Sequence, residues 1–160
     1  MLTLTSEQFA SKIKQHSAEI TKLLERDLPR IVGREAVSHF KKNFQNEGWE
    51  RTKWPEVQRR ESGTKANKYA AKHHPAWTRR KILTGDTGDL GKSIQFTNDG
   101  GGKVTIHSDL IYAAVHNYGL KAGRGKGFTM PQRQFIGESD ELNAKIKEII
   151  ETKLNQIFSK

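Results

Sequence analysis

"LTGDTGDLGKSIQF", residues 83–96, decides how the rest of the chain is read. Its Gly91-Lys92-Ser93 is the tail of a phosphate-binding loop, which would place a nucleotide between a buried strand and a helix. The spacing refuses that reading. Such a loop needs a glycine, four residues and then Gly-Lys-Ser/Thr, but five positions before Gly91 stands Asp86, and Gly85 is one residue too far. The offset matters because successive backbone N–H groups must converge on one phosphate. Asp86 and Asp89 would also put negative charge into the cradle. The stretch is instead a structural lead-in. Ile82 and Leu83 are buried, Gly85 and Gly88 turn at positive φ, Leu90 anchors the approach to a β-hairpin, and Asp86 and Asp89 cap N–H groups in the turns. No third acid and no Ca²⁺-loop spacing accompany the two aspartates.

Downstream the period becomes two. "KSIQFTND" alternates Ile94 and Phe96 with polar neighbours, "KVTIHS" does so with Val104 and Ile106, and Asn98-Asp99-Gly100-Gly101-Gly102 joins them, which predicts the hairpin. "DLIYAAVHNYG" predicts a short helix ending at Gly119, "LKAGRGKGFT" a Gly/basic loop and "MPQRQFIG" an extended segment. Leu142, Ile146, Ile149, Ile150, Leu154 and Ile157 then share one face of a C-terminal helix with Ser139 or Asp140 near its cap.

Upstream, Thr5 and Gln8 have capping-box spacing, and Phe9, Ile13, Ile20, Leu23 and Leu24 recur at helical intervals. Pro29 predicts a break or kink near Leu28. Val32, Ala36, Val37, Phe40 and Phe44 form a second helical pattern that stops at Gly48, read as its C-terminal cap. The chain is thus α+β: N-terminal helices and a C-terminal amphipathic helix packed on a small antiparallel sheet, with a long basic loop. One domain is expected over 1–160, with a helical region 5–47, a basic mobile loop 51–81, a hairpin, short helix and extended segment over 82–137, and the last helix over 138–160.

The loop dominates the composition. Residues 51–81 hold ten Lys/Arg against two acids, and residues 119–133 add four cations with no acid, so these two segments supply more than the whole chain's formal net charge of +10. Val57 is the sole Leu, Ile, Val or Phe in 51–81. So polar a stretch cannot bury enough surface to offset its ordering entropy, and it is read as mobile, pinned in places by Trp54, Tyr69 and Trp77. Cations so placed point to a polyanion or an acidic protein surface. The contact candidates are Arg51, Lys53, Arg59, Arg60, Arg79, Arg80, Lys81, Lys121, Arg124, Lys126 and Arg133. Cysteine is absent, which removes disulfides, thiolate metal sites and Cys nucleophiles and fits a reducing cytoplasm. Neither a run of roughly 18 apolar residues nor an export signal is seen, so no membrane association is expected. His73-His74, His16 and His39 lack a second ligand at metal spacing. No catalytic residue, cofactor or metal is assigned.

Four pieces occur in order: "FQNEGWERTKWPE", "ILTGDTGDLGKSI", "IYAAVHNYG" and "MPQRQFIG". Over about residues 31–140 their combination resembles the phage virion morphogenesis family, the tail completion proteins of Mu-like and P2-like phages, and is similar to the head–tail joining proteins of siphophages. The matching positions are Trp54, Pro55, Leu83, Gly85, Gly88, Leu90, Tyr112, Ala113, His116, Gly119, Pro131 and Phe135. The basic spacer and the doubled "TGDTGDL" depart from the pattern. The resemblance implies a non-enzymatic assembly protein of a phage or prophage. It would work in the bacterial cytoplasm and then the virion, forming a homo-oligomeric ring with other neck or tail proteins.

The residues alone fit that role. Tyr112, Ala113 and His116 share a helical face as a packing contact, and Pro131 and Arg133 suit a stiff extended strand. In the alternative reading the chain is a basic nucleic-acid-binding module. Trp54, Tyr69 and Trp77 would stack on bases while Arg and Lys of 51–81 make non-specific phosphate contacts with DNA. A third reading, a small basic nuclease or toxin using His107 or His116 with Lys and Asp, lacks an acid–base pair at a suitable spacing.

Overall fold

The computed structural model describes residues 5–159. Its elements, in order, are α1 (Ser6–Lys22), a π-helical turn (Leu23–Asp27), α2 (Leu28–Asn46), β1 (Gly48–Trp49), β2 (Thr52–Lys53), α3 (Lys65–His73), a 3₁₀ turn (Pro75–Thr78), α4 (Asp89–Lys92), β3 (Gln95–Gly100), β4 (Lys103–His107), α5 (Ala113–Tyr118), β5 (Lys121–Ala122), β6 (Phe128–Thr129) and α6 (Asp140–Phe158). The fold is α+β, as the sequence predicts. Two compact units emerge, residues 5–36, 96–105 and 140–159 in the first, and residues 37–95 and 106–139 in the second.

In the first unit α1 opens with the predicted capping box: Thr5 and Gln8 exchange backbone-to-side-chain bonds in both directions. Pro29 does not end the helix. Having no N–H, it leaves an upstream carbonyl unmatched, and the chain absorbs this by widening to a π-turn in which the Leu28 N–H reaches back to the Leu23 carbonyl. The Pro29 side chain is fully buried. Helix α1 packs on α6, with Leu23, Leu142 and Ile157 buried. Gly33 lies under the Phe96 ring, which leaves no room for a Cβ. Of the rest of the stripe Ile20 is half-buried, while Phe9 at 59%, Ile13 at 54% and Leu24 at 46% are exposed.

The second unit is built around an aromatic core. Phe44 meets Phe135 at 5.1 Å and the edge of Trp54 at 5.6 Å between ring centres, while Phe40 stacks on Trp49. Ala70, Ile82, Leu90, Ile94 and Ala113 complete it. Burying each large apolar side chain contributes about 1.5–3 kcal/mol. Gly48 is no helix cap; a Cβ there would stand 2.5 Å from the Thr52 carbonyl oxygen, so glycine is required by close approach in the β1–β2 turn. The left-handed residue after α2 is Glu47, at φ +51°.

Two expectations change. Among the described residues the strands form three separate two-stranded ribbons, β1–β2, β3–β4 and β5–β6, rather than a single small sheet. The "MPQRQF" segment joins none of them. Its backbone is paired off individually: Met130 N–H to the Leu120 carbonyl, Arg133 N–H to the His116 carbonyl, and Phe135 and Ile136 to side-chain amides. Pro131 has no N–H to offer a ladder. Second, residues 51–81 are not an irregular loop, because they contain β2, α3 and the 3₁₀ turn. Thr64 caps α3 through the Asn67 N–H. Beside the burial of Trp54 and Ala70, guanidinium groups bind carbonyls: Arg59 donates to the carbonyls of Trp77, Arg80 and Lys81 at 3.0–3.1 Å.

Candidate functional site

The second unit contains a cleft of about 500 Å³. Residues 82–90 supply one wall, and the ordered geometry of that stretch explains its glycines. Leu83 adopts φ +59°, Gly85 φ +53° and Gly88 φ +71°, and the Gly88 N–H closes the turn on the Thr84 carbonyl. A bulky residue such as Leu83 in the left-handed region stores strain. Asp86 does not cap a turn as the sequence suggests; it forms an ion pair with Arg80. The opposite sides come from Val57, Arg59 and Trp77, from Tyr112 and His116 of α5, and from Met130 and Arg133.

Three guanidinium groups therefore converge. Arg133 is 5% exposed and donates from Nε and Nη2 to the Pro55 carbonyl at 3.1 and 2.9 Å and from Nη2 to the Glu56 carbonyl at 3.2 Å. Burial, and then the neighbouring Arg59 charge, push Arg133 below the ordinary guanidinium range. Burial likewise lowers Arg59, followed by Arg60 and Arg80. His116 touches Tyr112 edge-on at 6.2 Å. Burial and then the Arg133 charge lower its pKa below the ordinary imidazole value, and its Nδ1 is buried without a hydrogen-bond partner among the described residues.

The predicted contact residues divide by environment. Arg51, Arg79, Lys121, Arg124 and Lys126 are exposed. Lys53 and Lys81 hold the carbonyls of Asn46 and Gln45, and Arg60 pairs with Glu47 at 2.6 Å and Glu56 at 3.5 Å. Arg59 and Arg133 belong to the cleft. Of the predicted stacking residues, Trp54 is 6% exposed and donates its indole N–H to the Gln134 carbonyl, so its ring cannot meet a base. Trp77 is already stacked on His74 at 4.0 Å. Tyr69 is 58% exposed, with its ring against His73 at 4.6 Å between ring centres. Among the described residues no group of three or more His, Cys, Asp or Glu is arranged to hold a metal.

Two side chains that sequence reasoning did not single out hold this unit together. Asn117, 4% exposed, accepts from the Phe135 and Ile136 N–H groups at 2.8 and 3.0 Å and donates to the Ile136 carbonyl. Asn43 donates to the Phe135 carbonyl. Asn117 sits inside "YAAVHNYG", three residues before a loop that must return past the helix; a buried amide is what such an irregular return needs.

The motifs that the sequence presents in order meet around this core. Pro55 is tied to Arg133, Trp54 to Gln134, and Leu90, Ala113 and Phe135 are buried together in one unit. Residues 9–155 match the phage virion morphogenesis family, and the chain belongs to it. It is 35% identical over 83 residues to "Mu-like prophage FluMu G protein 2" of Haemophilus influenzae, covering 48% of this chain and 58% of that protein. The match thus spans less than two thirds of the relative's length. No solved structure matches.

Proposed function

We propose that this phage morphogenesis protein acts in tail completion or head–tail joining. In this reading it is a non-catalytic structural component that closes into a ring of subunits in the bacterial cytoplasm and remains in the virion. The observation that carries the proposal is the apolar surface of the second unit around α5 and the β5–β6 ribbon. Ile111 is 92% exposed, Tyr118 64%, Phe128 56% and Leu120 46%. Large exposed apolar side chains gathered near one element are the mark of a surface that another protein covers. Exposed Lys121, Arg124 and Lys126 at the ribbon add a cationic edge suited to an acidic neighbour. Sedimentation and negative-stain microscopy over a concentration series test this. Rings or defined oligomers are expected, and Ile111→Ser with Phe128→Ser should return the protein to monomer. A chain that stays monomeric at high concentration and with neck proteins added overturns the reading.

Non-specific DNA contact has its own support in α3, where Lys65, Lys68 and Lys72 accompany exposed Tyr69 and no acid occurs in the helix. Binding should then fall with salt by about 0.7–0.9 in log–log slope per neutralised phosphate. A slope left unchanged by alanine at Lys68, Lys72 and Arg79 dismisses it.

A further inference from the structure

We propose that the cleft of the second unit is a docking site for an acidic–apolar peptide segment of another protein, receiving carboxylates on Arg59 and Arg133 and an apolar side chain between them. The hydrogen bonds of the two arginines lead there. A guanidinium has five N–H donors. Arg133 uses Nε and both Nη2 hydrogens on Pro55 and Glu56, and Arg59 uses Nε and both Nη2 hydrogens on Trp77, Arg80 and Lys81. Among the described residues, neither Nη1 group has a partner and neither side chain has a carboxylate within ion-pair distance. Carbonyls fix the two forks in place without neutralising them. Glu56 and Glu47 act on these charges only from beyond ion-pair distance and are themselves paired with Arg60, so each preformed guanidinium keeps spare donors that suit a carboxylate.

The other lining groups decide the rest of the ligand. Asp86 is answered by Arg80 and Asp89 opens α4, so three guanidiniums face two carboxylates and the cleft keeps a cationic excess. Val57, Ile82, Leu83, Leu90 and Met130 are apolar, and a volume of about 500 Å³ is within the usual range for small-ligand sites. A nucleic-acid backbone wants a row of solvated cations and open aromatic faces. Here the cations are recessed and Trp77 is stacked on His74. A carboxylate beside an aliphatic side chain satisfies both the forks and the walls. The inference does not rest on ring assembly: a monomer that binds the peptide leaves it intact, and a ring that ignores the peptide overturns it alone.

The chain has two methionines, Met1 and Met130, so methyl-labelled methionine gives a reporter inside the cleft. The probe is an equimolar pool of capped Gly-Asp-Z-Asp-Gly peptides, with Z running over Leu, Ile, Val, Met and Phe. The control pool has Asn for Asp. The Met130 methyl signal should move saturably with the Asp pool and not with the Asn pool. Arg59→Gln should raise the midpoint about tenfold or more, the scale of a lost charge-assisted bond. Should Arg59→Gln fail to fold, Arg80→Gln, which alters a half-buried side chain paired with Asp86, provides the second variant and should also weaken binding. The proposal is overturned if Met130 does not respond at millimolar peptide, if both pools act alike, or if decathymidylate moves Met130 and displaces the peptide, which would assign the cleft to polyanions.

Discussion

Arg133 and Pro55 are 78 residues apart, yet one guanidinium grips one carbonyl oxygen through two N–H groups, at 3.1 and 2.9 Å. Pro55 is the end of the short stretch that also carries Trp54, whose indole binds Gln134 at 2.7 Å. The "W-P" and "M-P-x-R-x-F" pieces are therefore two halves of a single clamp. Each piece is legible in the sequence, whereas their pairing is a tertiary fact.

Arg133→Lys is expected to destabilise by about 1–3 kcal/mol, because an ammonium cannot reproduce the fork and leaves a buried carbonyl unmet. Arg133→Met removes the charge as well but strands the Pro55 and Glu56 carbonyls, so it should not rescue stability. Urea denaturation of the three proteins checks this. A lysine variant as stable as the parent would remove the clamp from the account.

Asn117→Ala deletes the amide that serves Phe135 and Ile136. Leaving the buried Phe135 N–H and the part-buried Ile136 N–H unpaired should cost about 2–4 kcal/mol, taking roughly 1–3 for each unsatisfied group with partial relaxation. Amide exchange offers a local readout: the Phe135 and Ile136 N–H groups should lose protection before the rest of the unit does.

Legibility in the sequence depends on which forces are local. The capping box at Thr5, the period-two runs around Ile94 and Val104 and the glycines of 98–102 are short-range signals, and the structure repeats them. Pro29 is legible as a perturbation, but its outcome depends on whether the helix can widen by one residue, which no local pattern states. Residues 51–81 mislead because apolar content is a poor measure of order here, where Arg59, Arg60 and Arg133 supply it through carbonyls and Glu47 instead. The cleft is illegible for the same reason: its cations come from positions 59, 80 and 133, and a cation's spare donors appear only when its other bonds are counted.

His116 should make stability fall on the acid side of neutrality. Burial and Arg133 hold the folded imidazole below the ordinary value of about 6.5. As pH drops through that value the unfolded chain binds a proton that the folded chain refuses, so stability is lost from about pH 6.5 down to the folded pKa and is level below it. His116→Gln should flatten this part of the profile while leaving the alkaline side unchanged. Denaturation midpoints from pH 8 to pH 5 would show it, and identical slopes in both proteins would count against a neutral buried imidazole.

Glu47 acts further down the same acid side of the profile. It holds φ +51°, a position where glycine is the ordinary choice after a helix, and its carboxylate takes the Ile82 N–H at 2.6 Å and the Arg60 guanidinium at 2.6 Å. Burial acts to raise its pKa, but the bonds from Ile82 and Arg60, with the charges of Arg60 and Lys81, outweigh it and hold the group below the ordinary carboxylate value. Its contribution is therefore complete above about pH 4.5 and is lost as pH falls through the folded pKa. Glu47→Gln keeps an acceptor for Ile82 but gives Arg60 a neutral partner, so a loss of about 1–3 kcal/mol is expected at pH 7. That gap should narrow as pH falls through the lowered folded pKa, where the parent carboxylate itself takes up a proton. Glu47→Gly relaxes the backbone and removes the clamp together; since the clamp joins α2 to residues 60 and 82, the glycine variant should still be less stable than the parent. A glycine variant more stable than the parent would mean that backbone strain, not the carboxylate, governs this corner.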